Sequence, residues 1–328
     1  MRIAILDDYQ QVALGMADWS VLPSDSQPDV FQDHLFDEDA LVARLKDYDV
    51  VMGMRERTPM PRSLLERLPN LKLLITTGMG NASFDFAAAT ELGIVCAGTA
   101  TGGGPSTAEL AWGLMLALAK KIPREDAAVR AGKWQLGLTE SVSGKTLGIV
   151  GLGRLGTVTA RVGLAFSMNV LAWSQNLTPE KAAEAGVAYA TKDELFSKSD
   201  FVSIHYTLSD RSRGMIGARE LALMKPTAYL INTSRGPLVD ERALIDALRT
   251  RSIAGAGLDV FDIEPLPKDH PLRNMENTVI TPHLGYVTQE GYKAMFANTI
   301  ENIQTFAAGD PVRVINPAVL ESPNLRAK

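Results

Sequence analysis

The sequence lacks the features that mark secreted and membrane proteins. Its single cysteine, Cys96, excludes a disulfide within the chain, and the apolar run Gly93–Ala97 around it predicts a buried thiol. No stretch of about 18 apolar residues occurs, so no membrane span is expected. The apolar run Ile3–Leu6 near the N-terminus is too short for a signal-peptide core. These absences predict a reduced, cytoplasmic protein.

A large excess of charge is also absent. The chain has 33 Lys and Arg against 38 Asp and Glu, a net charge of −5. This mild balance argues against a nucleic acid or a membrane surface as the main partner. The 4 histidines and the one cysteine do not fall into metal-ligand spacings with acidic residues, so no metal site is predicted.

Short apolar runs alternate with helical patterns along the whole chain, which is typical of βαβ units and parallel sheets. At 328 residues the length favours two such domains. The break at Thr101–Pro105 is the first candidate boundary, and the helix predicted at Ser106–Lys120 starts with a possible capping box, Ser106 and Glu109. The predicted strands are Ile3–Leu6, Val50–Met54, Leu71–Ile75, Ile94–Ala97, Thr146–Val150, Val170–Trp173, Phe201–Tyr206, Ala228–Asn232, Ala254–Asp259 and Val279–Thr281.

A glycine-rich turn follows the strand predicted at Thr146–Val150 and opens a helix predicted at Thr157–Phe166. In this context the GxGxxG pattern indicates a dinucleotide site. Gly151 permits a tight turn, Gly153 lets the backbone approach a pyrophosphate, and Gly156 lets the helix pack close to the strand. The free N–H groups at the helix N-terminus favour phosphates. The whole loop is Gly151, Leu152, Gly153, Arg154, Leu155 and Gly156.

The position that selects between NAD and NADP carries no charge in this sequence. An acidic residue at the end of the next strand normally binds the ribose 2′-hydroxyl, and here that place is Ser174. A serine does not repel a 2′-phosphate as an aspartate would. Because Gln175 and Asn176 follow instead of an arginine, the sequence permits NADP without demanding it.

Three polar residues in the second half form a plausible reaction centre for a 2-oxo acid. Arg235 follows an apolar strand, and its planar fork suits a carboxylate. His283 suits proton transfer because the ordinary pKa of histidine lies near 7. Glu264 would hold the imidazole in one orientation.

These segments resemble the D-isomer-specific 2-hydroxyacid dehydrogenase family, and the resemblance covers nearly the whole chain. It rests on four motifs in order: Gly151–Gly156, Asn232–Leu244, Gly257–Pro267 and Thr281–Gly285. The resemblance implies a hydride transfer between NAD or NADP and a small 2-oxo or D-2-hydroxy acid. It implies an α/β fold of two Rossmann-like, doubly wound domains with parallel sheets and a cleft between them.

The resemblance also implies domain bounds and residue roles. A discontinuous substrate-binding domain would span 1–103 and 285–328, and an NAD(P)-binding domain would span 104–284. Arg235, Glu264 and His283 would be catalytic, and the protein would be a homodimer, with interface segments after Gly104 and at Lys120–Trp134. Further cofactor contacts would come from Gly151, Gly153, Arg154, Leu155, Gly156, Ser174, Thr233, Ser234, Asp259 and Thr107. Substrate contacts would come from Arg55, Gly78, Met79 and Gly80.

One departure from the family pattern concerns the substrate. The usual loop Gly-x-Gly-x-Asp-Asn is here Gly78, Met79, Gly80, Asn81, Ala82 and Ser83. The glycines keep backbone N–H groups available for a carboxylate, but the altered polar pair leaves the substrate open. An alternative function is that of a nicotinamide-sensing binding protein, as in corepressor relatives. Chemistry like that of formate dehydrogenase is a third hypothesis, although the pair of Glu264 and His283 fits proton transfer better.

Overall fold

The protein divides into two compact units, described here from a computed structural model that covers residues 1–99 and 104–326. Unit 1 consists of Met1–Gly104 and Val287–Lys328, and unit 2 is the continuous segment Pro105–Tyr286. Most of the break predicted at Thr101–Pro105 lies outside the described residues. Within the described ranges, no helix is both long and apolar enough to cross a membrane.

Twelve strands are described, five in unit 1 and seven in unit 2. They are β1 (Ile3–Ile5), β2 (Pro28–Val30), β3 (Val50–Gly53), β4 (Leu73–Thr76), β5 (Val95–Gly98), β6 (Thr146–Val150), β7 (Asn169–Trp173), β8 (Ala188–Tyr189), β9 (Phe201–Ile204), β10 (Tyr229–Asn232), β11 (Gly255–Leu258) and β12 (Thr278–Ile280). All pair in parallel, which confirms the α/β fold class with parallel sheets.

All helices but the last lie between two strands along the described chain, as βαβ units require. They are α1 (Ala13–Met16), α2 (Glu38–Leu45), α3 (Arg62–Leu65), α4 (Phe86–Glu91), α5 (Ser106–Ala119), α6 (Ile122–Arg130), α7 (Arg154–Ala165), α8 (Pro179–Glu184), α9 (Lys192–Lys198), α10 (Ala218–Leu223), α11 (Glu241–Arg249) and α12 (Gln289–Ala308). The last of them belongs to unit 1.

The sheet of unit 1 has the strand order β2-β1-β3-β4-β5. Its central strands are buried, so they consist of nearly continuous apolar residues. The second piece of the unit is anchored on β5. Val314 forms an antiparallel bridge with Ala97, and the Asn316 side chain accepts a hydrogen bond from the backbone N–H of Cys96 at 2.8 Å. Residues from both ends of the chain therefore complete this unit.

The sheet of unit 2 has the strand order β12-β11-β10-β9-β6-β7-β8. Two apolar clusters cover its faces, and neighbouring residues of one strand, such as Leu230 and Ile231, belong to different clusters. From β6 the chain first adds β7 and β8 on one side and then β9 to β12 on the other. Because all these strands are parallel, the loops after β6, β9, β10, β11 and β12 lie at the same carboxyl edge of the sheet. Ligands bind at this edge in open α/β sheets.

Some local predictions differ from the structure. The capping box predicted at Ser106 and Glu109 is wrong, because Pro105 is the N-cap of α5 and no side chain caps it. Ser106 is already helical, and its hydroxyl donates to the Gly285 carbonyl at 2.7 Å. Helix α7 begins at Arg154, three residues before the predicted Thr157, because the glycine turn leads directly into the helix.

Candidate active site

The loop from β6 to α7 has the geometry of a phosphate cradle. Gly151 has a φ of 97°, and a Cβ there would lie 2.4 Å from the carbonyl oxygen of His205. A Cβ on Gly156 would lie 2.0 Å from the carbonyl oxygen of Gly151, so both positions require glycine. Gly153 is the N-cap of α7, with no side-chain cap and open space beside it. The helix N-terminus is therefore accessible to an anionic group.

Two buried polar atoms at the same edge have no hydrogen-bond partner among the described residues. They are Nδ1 of His205, just after β9, and Oγ1 of Thr233, just after β10. Burial lowers the pKa of His205 to about 4, so the ring is neutral, and its Nε2 lies 2.9 Å from the Ser203 hydroxyl. Buried polar groups in proteins are nearly always paired. Unpaired atoms beside an open glycine loop therefore fit a polar ligand of the dinucleotide type.

The remaining predicted cofactor residues occupy the surroundings of this loop. Arg154 and Leu155 form the first turn of α7. Ser174 directly follows β7 and is half-buried. The ring of the preceding Trp173 stacks on Tyr206, with 6.2 Å between centroids. Ser234 is engaged internally, since its hydroxyl donates to the Ile204 carbonyl at 2.9 Å.

His283 and Glu264 are in direct contact in unit 2. His283 Nδ1 lies 2.6 Å from Glu264 Oε2, and the His283 residue is only 8% exposed. The other carboxylate oxygen of Glu264 accepts the Phe261 N–H at 2.9 Å. This arrangement occupies Nδ1 and leaves Nε2 as the imidazole nitrogen that can exchange a proton with a substrate.

The backbone at His283 is held in an uncommon conformation. Its φ is 56°, in the left-handed region that costs a histidine free energy relative to glycine. Asp259 holds the residues on either side: its carboxylate accepts the Thr281 hydroxyl at 2.6 Å and the Leu284 and Gly285 N–H groups at 2.7 and 2.9 Å. Burial raises the pKa of Asp259.

The sequence analysis missed this positioning role of Asp259. Only the motif Gly257–Pro267 pointed to the residue, and the hydrogen-bond partners lie more than 20 positions away. A second support also comes from a distant element, because the Thr107 hydroxyl on α5 donates to the Gly285 carbonyl at 2.9 Å. Asp259 and Thr107 are thus both seen here as supports of the His283 loop. Their predicted contacts with the cofactor stay predictions.

Arg235 lies in the loop after β10. Its carbonyl accepts the Asn232 side-chain N–H at 2.9 Å, and its own guanidinium donates to the Ser234 carbonyl at 2.7 Å. The next residue, Gly236, packs so closely on the loop after β11 that a Cβ would lie 2.1 Å from the carbonyl carbon of Phe261. Arg235, Glu264 and His283 therefore occupy loops after three adjacent strands at one edge of the sheet.

The predicted substrate residues lie in unit 1, at the carboxyl edge of its own sheet. Arg55 follows β3 with a φ of 53°, and its N–H donates to the Thr77 hydroxyl at 2.9 Å. In the loop after β4, the Gly78 N–H donates to the Thr99 hydroxyl at 3.0 Å. Met79 and Gly80 are exposed. The neighbouring loop after β1 carries a separate buried network around Asp7.

The Asp7 carboxylate is 1% exposed, and three side chains contact it. It accepts the Thr58 hydroxyl at 2.7 Å and the Tyr9 hydroxyl at 3.1 Å, and His34 Nδ1 lies 2.9 Å away. Burial, reinforced by this carboxylate, raises the pKa of Tyr9 far above its ordinary value. The network ties the loops after β1, β2 and β3 together.

Comparisons with known proteins agree with this geometry. The family described as "D-isomer specific 2-hydroxyacid dehydrogenase, NAD binding domain" matches residues 112–285. The chain is 38% identical to the glyoxylate reductase of Thermococcus litoralis, over 86% of this chain and 88% of that one. It is 33% identical to the hydroxypyruvate reductase of Blautia hydrogenotrophica, over 96% of this chain and all of that one.

Phosphoglycerate enzymes are also similar. The structure of a phosphoglycerate oxidoreductase from Vibrio cholerae superposes with a TM-score of 0.89 at 38% identity, over 94% of this chain and 99% of that one. The D-3-phosphoglycerate dehydrogenase of Methanocaldococcus jannaschii is 36% identical over 88% of this chain, which spans only 54% of that protein's length. The resemblance drawn from the motifs is thereby confirmed. The chain belongs to the D-isomer specific 2-hydroxyacid dehydrogenase family, as an oxidoreductase that transfers a hydride between a nicotinamide dinucleotide and a small 2-oxo or D-2-hydroxy acid.

Proposed function

We propose that Arg235, Glu264 and His283 are the catalytic residues of this oxidoreductase. The observation that carries the proposal is the 2.6 Å contact between Glu264 and a nearly buried His283. A carboxylate on Nδ1 fixes the orientation of the ring, so that Nε2 can serve as the proton donor to a carbonyl. Arg235 is proposed to hold the substrate carboxylate through two parallel hydrogen bonds.

The residues of this chain would divide the reaction between them. A reduced nicotinamide, when bound, would supply the hydride for the carbonyl carbon of the 2-oxo acid. His283 gives the proton on Nε2 to the carbonyl oxygen, so that one hydride and one proton complete the 2-hydroxy acid. Glu264 holds the ring in place through Nδ1, and solvent restores the proton afterwards. In the oxidative direction His283 accepts the hydroxyl proton.

Cofactor binding is proposed at the carboxyl edge of unit 2. The N-terminus of α7, with Gly151, Gly153 and Gly156, would bind the pyrophosphate. Thr233 and His205 offer unpaired polar atoms nearby. Because Ser174 occupies the position of the discriminating acid, we propose that NADPH is accepted as well as NADH. This proposal makes unit 2 the NAD(P)-binding domain.

The substrate role of unit 1 is proposed from the family resemblance. Arg55 and the backbone of Gly78, Met79 and Gly80 would contact the 2-oxo acid. The names of the full-length relatives favour glyoxylate and hydroxypyruvate as substrates. The alternative of a nicotinamide-sensing binding protein gains no support from any observation on this chain. The cytoplasmic location stays a prediction from the sequence.

We also propose a homodimer. Helix α6 and the segment after it expose large apolar side chains, among them Ile122 at 52%, Trp134 at 75% and Leu138 at 90%. Such a patch is typical of a protein–protein interface. Light scattering after size-exclusion chromatography is expected to give twice the chain mass of 35.4 kDa. The variant Trp134→Asp is expected to shift the protein toward the monomer.

The direct test of the function measures the oxidation of NADH and of NADPH in the presence of a panel of 2-oxo acids. The oxidation is monitored by the absorbance of the reduced nicotinamide. The panel contains glyoxylate, hydroxypyruvate, phosphohydroxypyruvate and pyruvate. We expect turnover of glyoxylate or hydroxypyruvate and its loss in a preparation of Glu264→Ala. Absence of turnover with every acid, in a protein that binds NADH, would favour the sensing function.

A further inference from the structure

Unit 2 contains a cavity of about 680 Å³ at the end of its sheet opposite to Arg235 and His283. Its lining includes Tyr229 at the start of β10, Ala254 just before β11 and Thr278 at the start of β12. Parallel strands place their amino ends at one edge, and a four-residue strand spans roughly 13 Å. The cavity is therefore separate from the candidate active site.

The charged side chains in the lining are mostly cations. Lys121, Arg124 and Arg251 face a single acid, Glu276. In the described part of the chain none of the three cations forms an ion pair. Lys121 donates one hydrogen bond, to the Leu138 carbonyl at 2.7 Å, which leaves two N–H donors on its ammonium group. The Tyr229 hydroxyl donates a hydrogen bond to the Glu140 carboxylate at 2.9 Å.

Neighbouring arginines on the same two helices behave differently. Arg249, near the end of α11, pairs with Asp246 at 3.2 Å, and Arg130, at the end of α6, pairs with Asp126 at 2.9 Å. Arg251 and Arg124 lie on or next to the same helices, and neither is paired with an acid in the described ranges. The arginines without an acidic partner are therefore those that line the cavity, whichever helix they belong to.

Two of these cations stand just after helix ends, at positions with a left-handed backbone. Lys121 and Arg251 each follow the end of a helix with a φ of 54° and 55°, positions where glycine is the usual residue. A basic residue there can offset the partial negative charge of the helix C-terminus. That account does not extend to Arg124, which lies in the first turn of α6, where the helix dipole favours an acid.

We propose that this cavity binds a small polyanion with at least two carboxylate or phosphate groups. Its volume is in the range of small-molecule sites, and two arginine forks beside an ammonium group match such a ligand. The cavity lies next to the exposed apolar patch of α6, since Lys121 donates to the carbonyl of Leu138. At 100° per residue Arg124 projects from the face opposite to Ile122 and Val129.

The experiment is isothermal titration calorimetry of the intact protein with citrate and, separately, with pyrophosphate at constant ionic strength. The test variant is Arg124→Ala/Arg251→Ala, and the matched control is Arg130→Ala/Arg249→Ala, which removes the same charge from the same two helices. We expect one site per chain for at least one probe, and about tenfold or greater weakening in the test variant but not in the control. Circular dichroism verifies that both variants are folded.

Three results would overturn the proposal. Equal weakening in the two double variants would mean that only the overall charge matters. Displacement of the probe by NADH would assign the binding to the α7 loop. Failure of both probes to bind would mean that the cavity is not a polyanion site. Binding of citrate alone or of pyrophosphate alone supports the site and identifies the preferred anionic group.

Discussion

Each of the two sheets of this protein carries polar side chains at its own carboxyl edge, but the hydrogen bonds of these side chains are completed in different ways. In unit 1, Asp7 is surrounded by Thr58, Tyr9 and His34, and each contact is closed within the protein. In unit 2, Thr233 and His205 each have a buried atom with no hydrogen-bond partner among the described residues, at the edge that carries the open glycine loop. A closed network stabilises the fold, whereas an incomplete one indicates where a ligand supplies the missing partner.

The largest effect is expected at the incomplete edge, in catalysis. His283→Ala removes the proposed proton donor, and kcat is expected to fall by about 10²–10⁴. The free energy of unfolding is expected to change far less, and the intrinsic fluorescence change on NADH binding is the control for an intact cofactor site. Steady-state rates within about threefold of the wild type would contradict the assignment.

The closed edge is expected to respond in stability instead. Asp7→Ala leaves the Thr58, Tyr9 and His34 groups without their acceptor, and the free energy of unfolding is expected to fall by about 3 kcal/mol. Asp18→Ala is the matched control, because Asp18 caps a short exposed turn through Ser20 and is expected to cost under about 1 kcal/mol. Urea denaturation measures both. Equal costs would remove the distinction between the two edges.

Arg235→Lys tests whether the anchor at the unit 2 edge needs a fork or only a charge. A lysine cannot hold a carboxylate through two parallel hydrogen bonds, so kcat/KM is expected to fall by about 10- to 100-fold. Arg242→Lys, on the exposed side of α11, is the control and is expected to leave kcat/KM unchanged. An unchanged KM for every 2-oxo acid turned over would argue against the anchoring role.

The desolvated ring of His205 makes the stability of the protein depend on pH. Burial lowers the pKa of His205 to about 4 from its ordinary value of 6.5, so the unfolded state binds more protons between these values. Stability is therefore fully present above pH 6.5 and is lost as the pH falls toward 4. We expect the wild type to lose about 1–3 kcal/mol more than His205→Gln over this window, measured by urea denaturation. Parallel pH profiles for the two proteins would refute a buried neutral ring.

The smallest effect is expected in cofactor choice. Ser174→Asp adds a carboxylate that repels a 2′-phosphate and binds the ribose hydroxyl, and it is expected to move the ratio of kcat/KM toward NADH by about tenfold. The wild type is expected to accept both cofactors with a modest preference. Both proteins are compared at one ionic strength, because phosphate contacts are screened by salt. A ratio that does not move would place residue 174 away from the adenine ribose.

Periodicity predicted the buried strands well because strands covered on both faces are apolar throughout. Strand β6 was predicted without error, and β10 to within one residue. Strands β2 and β8 were missed: β2 contains Pro28 and Asp29, and β8 has two exposed residues at the sheet edge. Neither presents the continuous apolar run by which a buried strand is recognised.

The site was predictable where motif residues are contiguous and unpredictable where support comes from afar. The glycine loop and the candidates Glu264 and His283 followed from local patterns. The hydrogen bonds from Thr281, Leu284 and Gly285 to Asp259, and from Thr107 to Gly285, join elements that only the fold brings together. The left-handed backbone at His283 was not predicted, because only a few per cent of non-glycine residues adopt it, even though histidine is enriched among them.

The return of the chain to β5 has a consequence for biosynthesis. The contact of Asn316 with Cys96 joins residues 220 positions apart, and unit 2 lies between the two pieces of unit 1. The ribosome therefore synthesises all of unit 2 before the segment that completes the sheet of unit 1. Domains tend to fold as they emerge. We expect unit 2 to be folded in the nascent chain while unit 1 is still incomplete. The uncovered edge at β5 would then be a binding site for chaperones.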